Sequence, residues 1–143
     1  MIFRSFLPAL LCSFAAATAA AAAAPPAGGK LLLELNALQP VAEACRVTFL
    51  ATNHLEASLA KTTFELAIFG KDGGISRIVS ADFDGLTAGK TKVLQFDLKG
   101  IACSDVSRVL VNDVTTCTGD GIAPGACLAG LETRDRTAAA FGQ

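Results

Sequence analysis

Hydrophobic and polar residues alternate along much of this chain, most clearly between Thr62 and Leu98. There Phe64, Leu66 and Ile68 interleave with Glu65 and Ala67 before Phe69 ends the run. A period of two puts one set of side chains on a buried sheet face, so the run predicts a strand. Lys71-Asp72-Gly73-Gly74 follows, and Asp-Gly supplies the positive φ that a tight hairpin requires. The next run places Ile75, Arg77, Val79, Ala81 and Phe83 on one face and Ile78 on the other, which predicts an edge strand of modest amphipathicity. After a second turn, Gly85 to Lys90, Leu94, Phe96 and Leu98 alternate with Gln95, Asp97 and Lys99. Three runs and two glycine-bearing turns predict a β-meander to which flanking runs add strands.

The flanks carry the same signal. Lys30 to Asn36 predicts a first strand, with Leu31, Leu33 and Leu35 on one face. Ala37 to Glu43 contains Pro40 and predicts a connection. From Ala44 to Asn53, Cys45, Val47, Phe49 and Ala51 share a face opposite Arg46, Thr48 and Leu50. Asn53 to Lys61 predicts a connection with room for one helical turn. Gly100 to Asp105 predicts a crossing loop. Ser107 to Cys117 is rich in β-branched residues and apolar on both faces, as a central strand is. The segment from Cys127 to Phe141 permits either a last strand or, at Thr137 to Ala140, a short helix. Six or seven strands of about 5 to 10 residues with regular turns predict an all-β, immunoglobulin-like antiparallel β-sandwich. The chain has neither Trp nor Tyr, so the core tryptophan and tyrosine corner of antibody domains are missing.

The amino terminus changes the compartment. Arg4 is followed by an apolar run from Ser5 to Ala24 that ends in alanines and then Pro25-Pro26. The run is near the length of a membrane span, but its alanine tail offers small-x-small cleavage sites and reads as a cleaved Sec signal peptide. There is no twin arginine, and Leu11 before Cys12 does not fit a lipidation site. Residues 1–24 are therefore expected to be a signal peptide, 25–29 a flexible linker and 30–143 one domain. About 119 residues remain, enough for a single hydrophobic core. Without Arg4, eleven basic residues face thirteen acidic ones, a net of about −2 that offers no basic patch for nucleic acid. The alanine- and glycine-rich composition suggests a high-GC bacterium and hence the periplasm, with no membrane span after cleavage.

Four cysteines lie in the exported part, Cys45, Cys103, Cys117 and Cys127. An even count in an exported domain reads as a disulfide framework with three possible pairings. The turn-rich loop between Cys117 and Cys127 favours that pair, which leaves Cys45 with Cys103. Neither Cys-x-x-Cys nor two close cysteine pairs occur, so the spacing fits neither thioredoxin-like nor zinc chemistry.

Leu-Glu-Leu-Asn (33–36), Ala-Cys-Arg (44–46), Phe-Gly-Lys-Asp-Gly-Gly (69–74), Leu-Thr-Ala-Gly-Lys-Thr (86–91), Phe-Asp-Leu-Lys-Gly-Ile-Ala-Cys (96–103) and the run from Arg108 to Cys117 stand out as motifs. Together they resemble a family of small exported alphaproteobacterial proteins without an assigned activity. The middle is also similar to the bacterial FxLYD module, a small β-sandwich. It lacks that motif's tyrosine and has Ala88-Gly89-Lys90 where Pro-Gly is usual. These resemblances imply an exported sandwich and no site residues.

Candidate chemistry is sparse. His54 is the only histidine and has no partner histidine for base or metal work. No nucleophile elbow occurs. Asp82-Phe83-Asp84-Gly85 resembles the opening of a calcium loop without its remaining ligands. Gly119-Asp120-Gly121 could form an anion nest, but Asp120 would repel the anion. Asn112 interrupts an apolar run and, if it points inward, would clamp a neighbouring loop. Six phenylalanines remain after export, mostly at core parity, which argues against aromatic stacking platforms. No catalytic residue, metal or cofactor is expected. The expected role is a non-enzymatic envelope module binding another envelope protein, with Ile75, Arg77, Ile78 and Val79 as its interaction edge. A small-ligand or metal-ion carrier is the alternative.

Overall fold

Phe49 shows how the alternating pattern becomes a core. The computed structural model describes residues 30–143, so the signal peptide expected at 1–24 and the linker expected at 25–29 lie outside the described residues. Phe49 lies in β2 (Ala44–Asn53), with Cys45, Val47 and Ala51 on the same face, all fully buried. Its ring packs 6.0 Å from Phe96 of β5 (Thr91–Lys99) and 5.6 Å from Phe141 of β8 (Ala140–Gly142), so one side chain spans the space between two sheets. On the far side, Phe64 of β3 (Leu59–Phe69) meets Phe83 of β4 (Ile75–Leu86) edge to face at 5.9 Å. Removing such a buried ring typically costs about 3–5 kcal/mol.

Eight strands form among the described residues, in two sheets of four. One sheet has the order β5-β2-β1-β7, with β1 at Leu31–Val41 and β7 at Leu131–Asp135. The other has the order β4-β3-β6-β8, with β6 at Arg108–Thr118. The sandwich and the two disulfides agree with the sequence. Cys45 bonds Cys103 in a 3₁₀ turn at Cys103–Asp105, and Cys117 bonds Cys127 in a one-turn helix, α1, at Ala126–Ala129. Their Cα separations of 4.8 and 5.9 Å suit the bond.

The differences concern pairing. Only β3 and β4 form the expected hairpin; β5 leaves β4, crosses the sandwich and pairs antiparallel with β2. Alternation says which face of a strand is buried but not which sheet it joins, so the meander was one of two arrangements equally compatible with the pattern. The crossing is set by the Gly85–Lys90 turn, where Gly85 and Gly89 take φ of +68° and +73° and Leu86 is buried.

β1 also runs through the expected connection to Val41 and closes on β2 by a two-residue turn, Ala42-Glu43. Pro40 is accepted because β7 pairs β1 only as far as Leu35, leaving a free edge beyond it. Ala42 holds φ at +46°, a conformation that favours glycine. No helical turn occurs from Asn53 to Lys61; bends at Leu55–Ala57 lead into β3, which already begins at Leu59.

The carboxy-terminal segment contains both element types: α1, then β7 and β8. These raise the strand count from the expected six or seven to eight. They also pair in parallel, β7 with β1 and β8 with β6, so the sheets are mixed rather than wholly antiparallel. β6 is central only over Arg108–Leu110, where β8 covers it.

Candidate functional site

The β3–β4 hairpin carries the residues expected to form an interaction edge. Its turn is held locally. Asp72 Oδ1 accepts the Gly74 N–H at 3.0 Å, and Gly73 sits at φ +80°. The hairpin base is tied to β6 by Ser107, whose Oγ donates to the Phe69 and Gly70 carbonyls at 3.2 and 2.6 Å.

β4 is an outer strand, as the sequence predicted. Its first part overhangs the core: Ile75 is 58% exposed and Ile78 55%, Arg77 is exposed and Val79 is half-buried. The register explains where these side chains go. Phe69 pairs with Ile75 and Ile68 with Arg77, so Ser76 is an extra residue that shifts the parity of the strand. Ile75 is thereby moved onto the outer face with Ile78.

Directly paired residues share a face. Across the outer face runs a row of Ile78, Ala67 and Leu110, and beside it a row of Ile75, Phe69 and Arg108. Ala67 faces outward yet is only 2% exposed, because its larger neighbours cover it. The Arg108 guanidinium lies 5.5 Å from the centroid of the Phe69 ring. The next row is polar, with Ser80, Glu65 and Asp113, and Asn112 Nδ2 donates to Glu65 Oε1 at 2.6 Å. The face therefore has an apolar centre, a polar margin on one side and an arginine on the other.

Phe69, Ala67 and Leu110 had not been singled out in the sequence. Their signal was present as apolar residues off the core parity: Phe69 follows Ile68 directly, and Leu110 lies between Val109 and Val111.

The remaining candidates are structurally occupied. His54 is exposed just before the bend at Leu55–Ala57. Lys61 Nζ lies 2.9 Å from Asp82 and 3.7 Å from Asp84, so an ammonium already sits between these carboxylates. These pairs hold the Lys61 ammonium pKa above its usual value. At Gly119 a Cβ would clash with the Ser58 carbonyl oxygen, so this glycine serves close chain approach. Asn112 does not point inward. It is the extra residue of a bulge, exposed, and it clamps a neighbouring strand rather than a loop. The buried clamp is Asn53, at the parity of Cys45 to Ala51. Its Nδ2 donates to the Ala57 and Leu86 carbonyls at 3.0 and 2.8 Å, and its Oδ1 accepts from Leu55 N at 2.9 Å.

On the other sheet, Glu34 is 6% exposed and bonded to Asn36 at 2.8 Å and Arg136 at 2.9 Å, with Arg134 at 3.7 Å. The Asn36 bond, helped by the arginines and opposed by burial, holds its carboxyl below the usual range. Arg46 and Asp97 pair at 2.8 Å beside a recess of about 450 Å³ under the Ala42 turn. Among the described residues no group of three or more His, Cys, Asp or Glu side chains is placed to hold a metal ion, and no helix is long and apolar enough to cross a membrane.

Fold and site together define a disulfide-bonded, eight-stranded β-sandwich with an apolar patch on one outer face. No protein-family model and no curated protein matches the chain. A solved structure described as the structural characterization of IrmA from Escherichia coli is similar, with a TM-score of 0.55 at 11% identity, over 73% of this chain and 91% of that one. At that identity the likeness is one of fold.

Proposed function

We propose that this chain is a non-enzymatic, exported β-sandwich that serves in the periplasm as an interaction or accessory module of the cell envelope. It takes a segment of another envelope protein as an added strand on β4. Two disulfides support an oxidising compartment.

The single observation that carries the reading is the contrast between β4 and the other edges. β4 has twelve residues, no proline and no lysine, and two isoleucines in solvent. The remaining edges are shortened or guarded in the ways that discourage pairing. β5 carries Lys92 and Lys99; β1 carries Pro40 past the end of β7; β7 has five residues and β8 three. Beyond Leu110, β6 is broken by bulges at Asn112 and Thr115. The one bulge of β4, at Ser76, lies near its start and leaves a regular register from Arg77 to Asp84, an edge long enough for β-augmentation, in which main-chain hydrogen bonds hold the partner.

The test is in-cell crosslinking of a tagged, natively exported copy, followed by mass spectrometry. One dominant envelope protein is expected. Capture of nothing above background would overturn the reading and return attention to a carrier role, for which Ca²⁺, Cu²⁺ or Zn²⁺ would raise the melting temperature.

A further inference from the structure

We infer that the outer face of the β4-β3-β6-β8 sheet packs on the same face of a second copy of this chain, about a two-fold axis along the Ile78–Ala67–Leu110 row. The inference goes beyond the interaction-module reading. It uses the face of the sheet and leaves the β4 edge of both copies free for a partner strand.

The charges on this face carry the argument. Arg108 stands in the row on one side of the apolar centre, and Glu65 and Asp113 stand in the row on the other. None of the three has an ion-pair partner among the described residues. Glu65 and Asp113 accept hydrogen bonds from neutral amides, Asn112 Nδ2 and Val114 N, which leave their charges in place. On β3 the two charged rows lie two residues either side of Ala67, so about 13 Å of strand separates Arg108 from the acids of its own copy.

A two-fold interface must be self-complementary, each contact being returned by the other copy. With the axis along the apolar row, the facing strands run antiparallel. Ile78 then lies over its counterpart, as does Leu110, and Arg108 of each copy lies over the Glu65 and Asp113 row of the other. An axis along β3 would instead set Glu65 against Glu65 and Arg108 over Ile75. The charge pattern therefore selects both the occupant and its orientation: a foreign protein would have to carry the reversed pattern that this face already carries. The face offers roughly 500 Å² per copy, below the ~800 Å² of a standard interface, so the dimer is weak and reversible.

The test is sedimentation velocity of the full exported chain from about 1 μM to about 1 mM. A monomer–dimer equilibrium is expected. Arg108→Asp and Asp113→Arg each weaken self-association about tenfold or more, because like charges then oppose across the axis. An equimolar mixture of the two variants associates within about threefold of the native chain, since each altered residue meets its opposite charge in the other variant. Unchanged melting temperatures show that the variants fold, and recovery on mixing is a result that misfolded chains cannot give. A photo-crosslinking residue at Ile78 joins to a β4 peptide of a second copy; one at Val93, on the outer face of the other sheet, does not.

A monomer throughout that range, variants that associate as the native chain does, or a mixture that stays apart overturns the inference. So does an Ile78 crosslink to another part of the copy or only to another protein, and so does equal self-capture at Val93. Each of these outcomes leaves the β4-edge reading standing, since that reading is decided by capture of an envelope protein in cells.

Discussion

Asn53 donates a 2.8 Å hydrogen bond from its side chain to the carbonyl of Leu86, joining the end of β2 in one sheet to the end of β4 in the other. The same residue's backbone accepts from Gly89 N and donates to the Lys90 carbonyl, so the β4–β5 crossing is wrapped around a single fully buried amide. Every polar atom of that side chain has a partner, and removal of the side chain orphans several at once. Asn53→Ala should cost about 2–3 kcal/mol. Chemical denaturation measures it, and a loss below about 0.5 kcal/mol would show that the crossing is held by Leu86 packing instead.

Glu34 gives the stability a pH dependence. Its folded pKa lies below its unfolded value, so the ionised form contributes stability above about pH 4.3, the ordinary glutamate value. Between the two pKa values the unfolded chain binds more protons, and stability falls as pH falls; below the folded pKa the contribution is gone. Because Arg134 and Arg136 are largely exposed, the effect should stay near 1 kcal/mol. Melting temperature against pH should separate wild type from Glu34→Gln above about pH 5 and bring them together in acid.

The two disulfides close loops of different length, with sequence separations of 58 and 10. In the chain-entropy account, replacing Cys45 and Cys103 by Ala costs up to about 4 kcal/mol, and replacing Cys117 and Cys127 up to about 2.7. The denaturation midpoint should rank the variants in that order. The reverse order would place the main role of Cys117–Cys127 in holding α1 against β6.

Ala42 offers a stabilising change. Relief of its left-handed backbone by Ala42→Gly is worth about 1–2 kcal/mol, offset by about 0.5–1 kcal/mol of added chain freedom in the unfolded state. A net gain of about 0.5–1 kcal/mol in denaturant is expected. A net loss would mean that the turn draws stability from the Ala42 methyl.

The β4 edge separates binding from folding. Ile78 is 55% exposed, so Ile78→Thr should change stability by about 0.5 kcal/mol or less while reducing partner capture several-fold. Unaltered capture, measured by crosslinking yield, would remove β4 from the interface.

Faces were legible in the sequence, partners less so. The parity of Cys45, Val47, Phe49 and Ala51 predicted one buried side, and all four are fully buried. The glycine-rich stretch between Cys117 and Cys127 predicted their bond. The same parity extended to Asn53 would have marked it as inward-facing, but an asparagine closing a strand also reads as a turn residue. Pairing was hidden because a half-buried strand shows the same alternation in either sheet, as β5 does. The outer apolar face was half visible: exposure of Ile78 follows from its parity, whereas exposure of Ile75 depends on the extra residue Ser76, which no local pattern announces.

The parallel strands β7 and β8 make the amino-terminal and carboxy-terminal parts of the domain interdependent in time. β1 forms early in the chain, yet its second neighbour is β7, and β6 waits for β8. A chain emerging from a ribosome or a membrane channel can form the β1–β2 and β3–β4 hairpins at once, but neither sheet is complete until the last few residues are free. A chain interrupted before Leu131 presents Leu31–Leu35 and Arg108–Leu110 as bare edges. These are edges that the intact domain covers with β7 and β8.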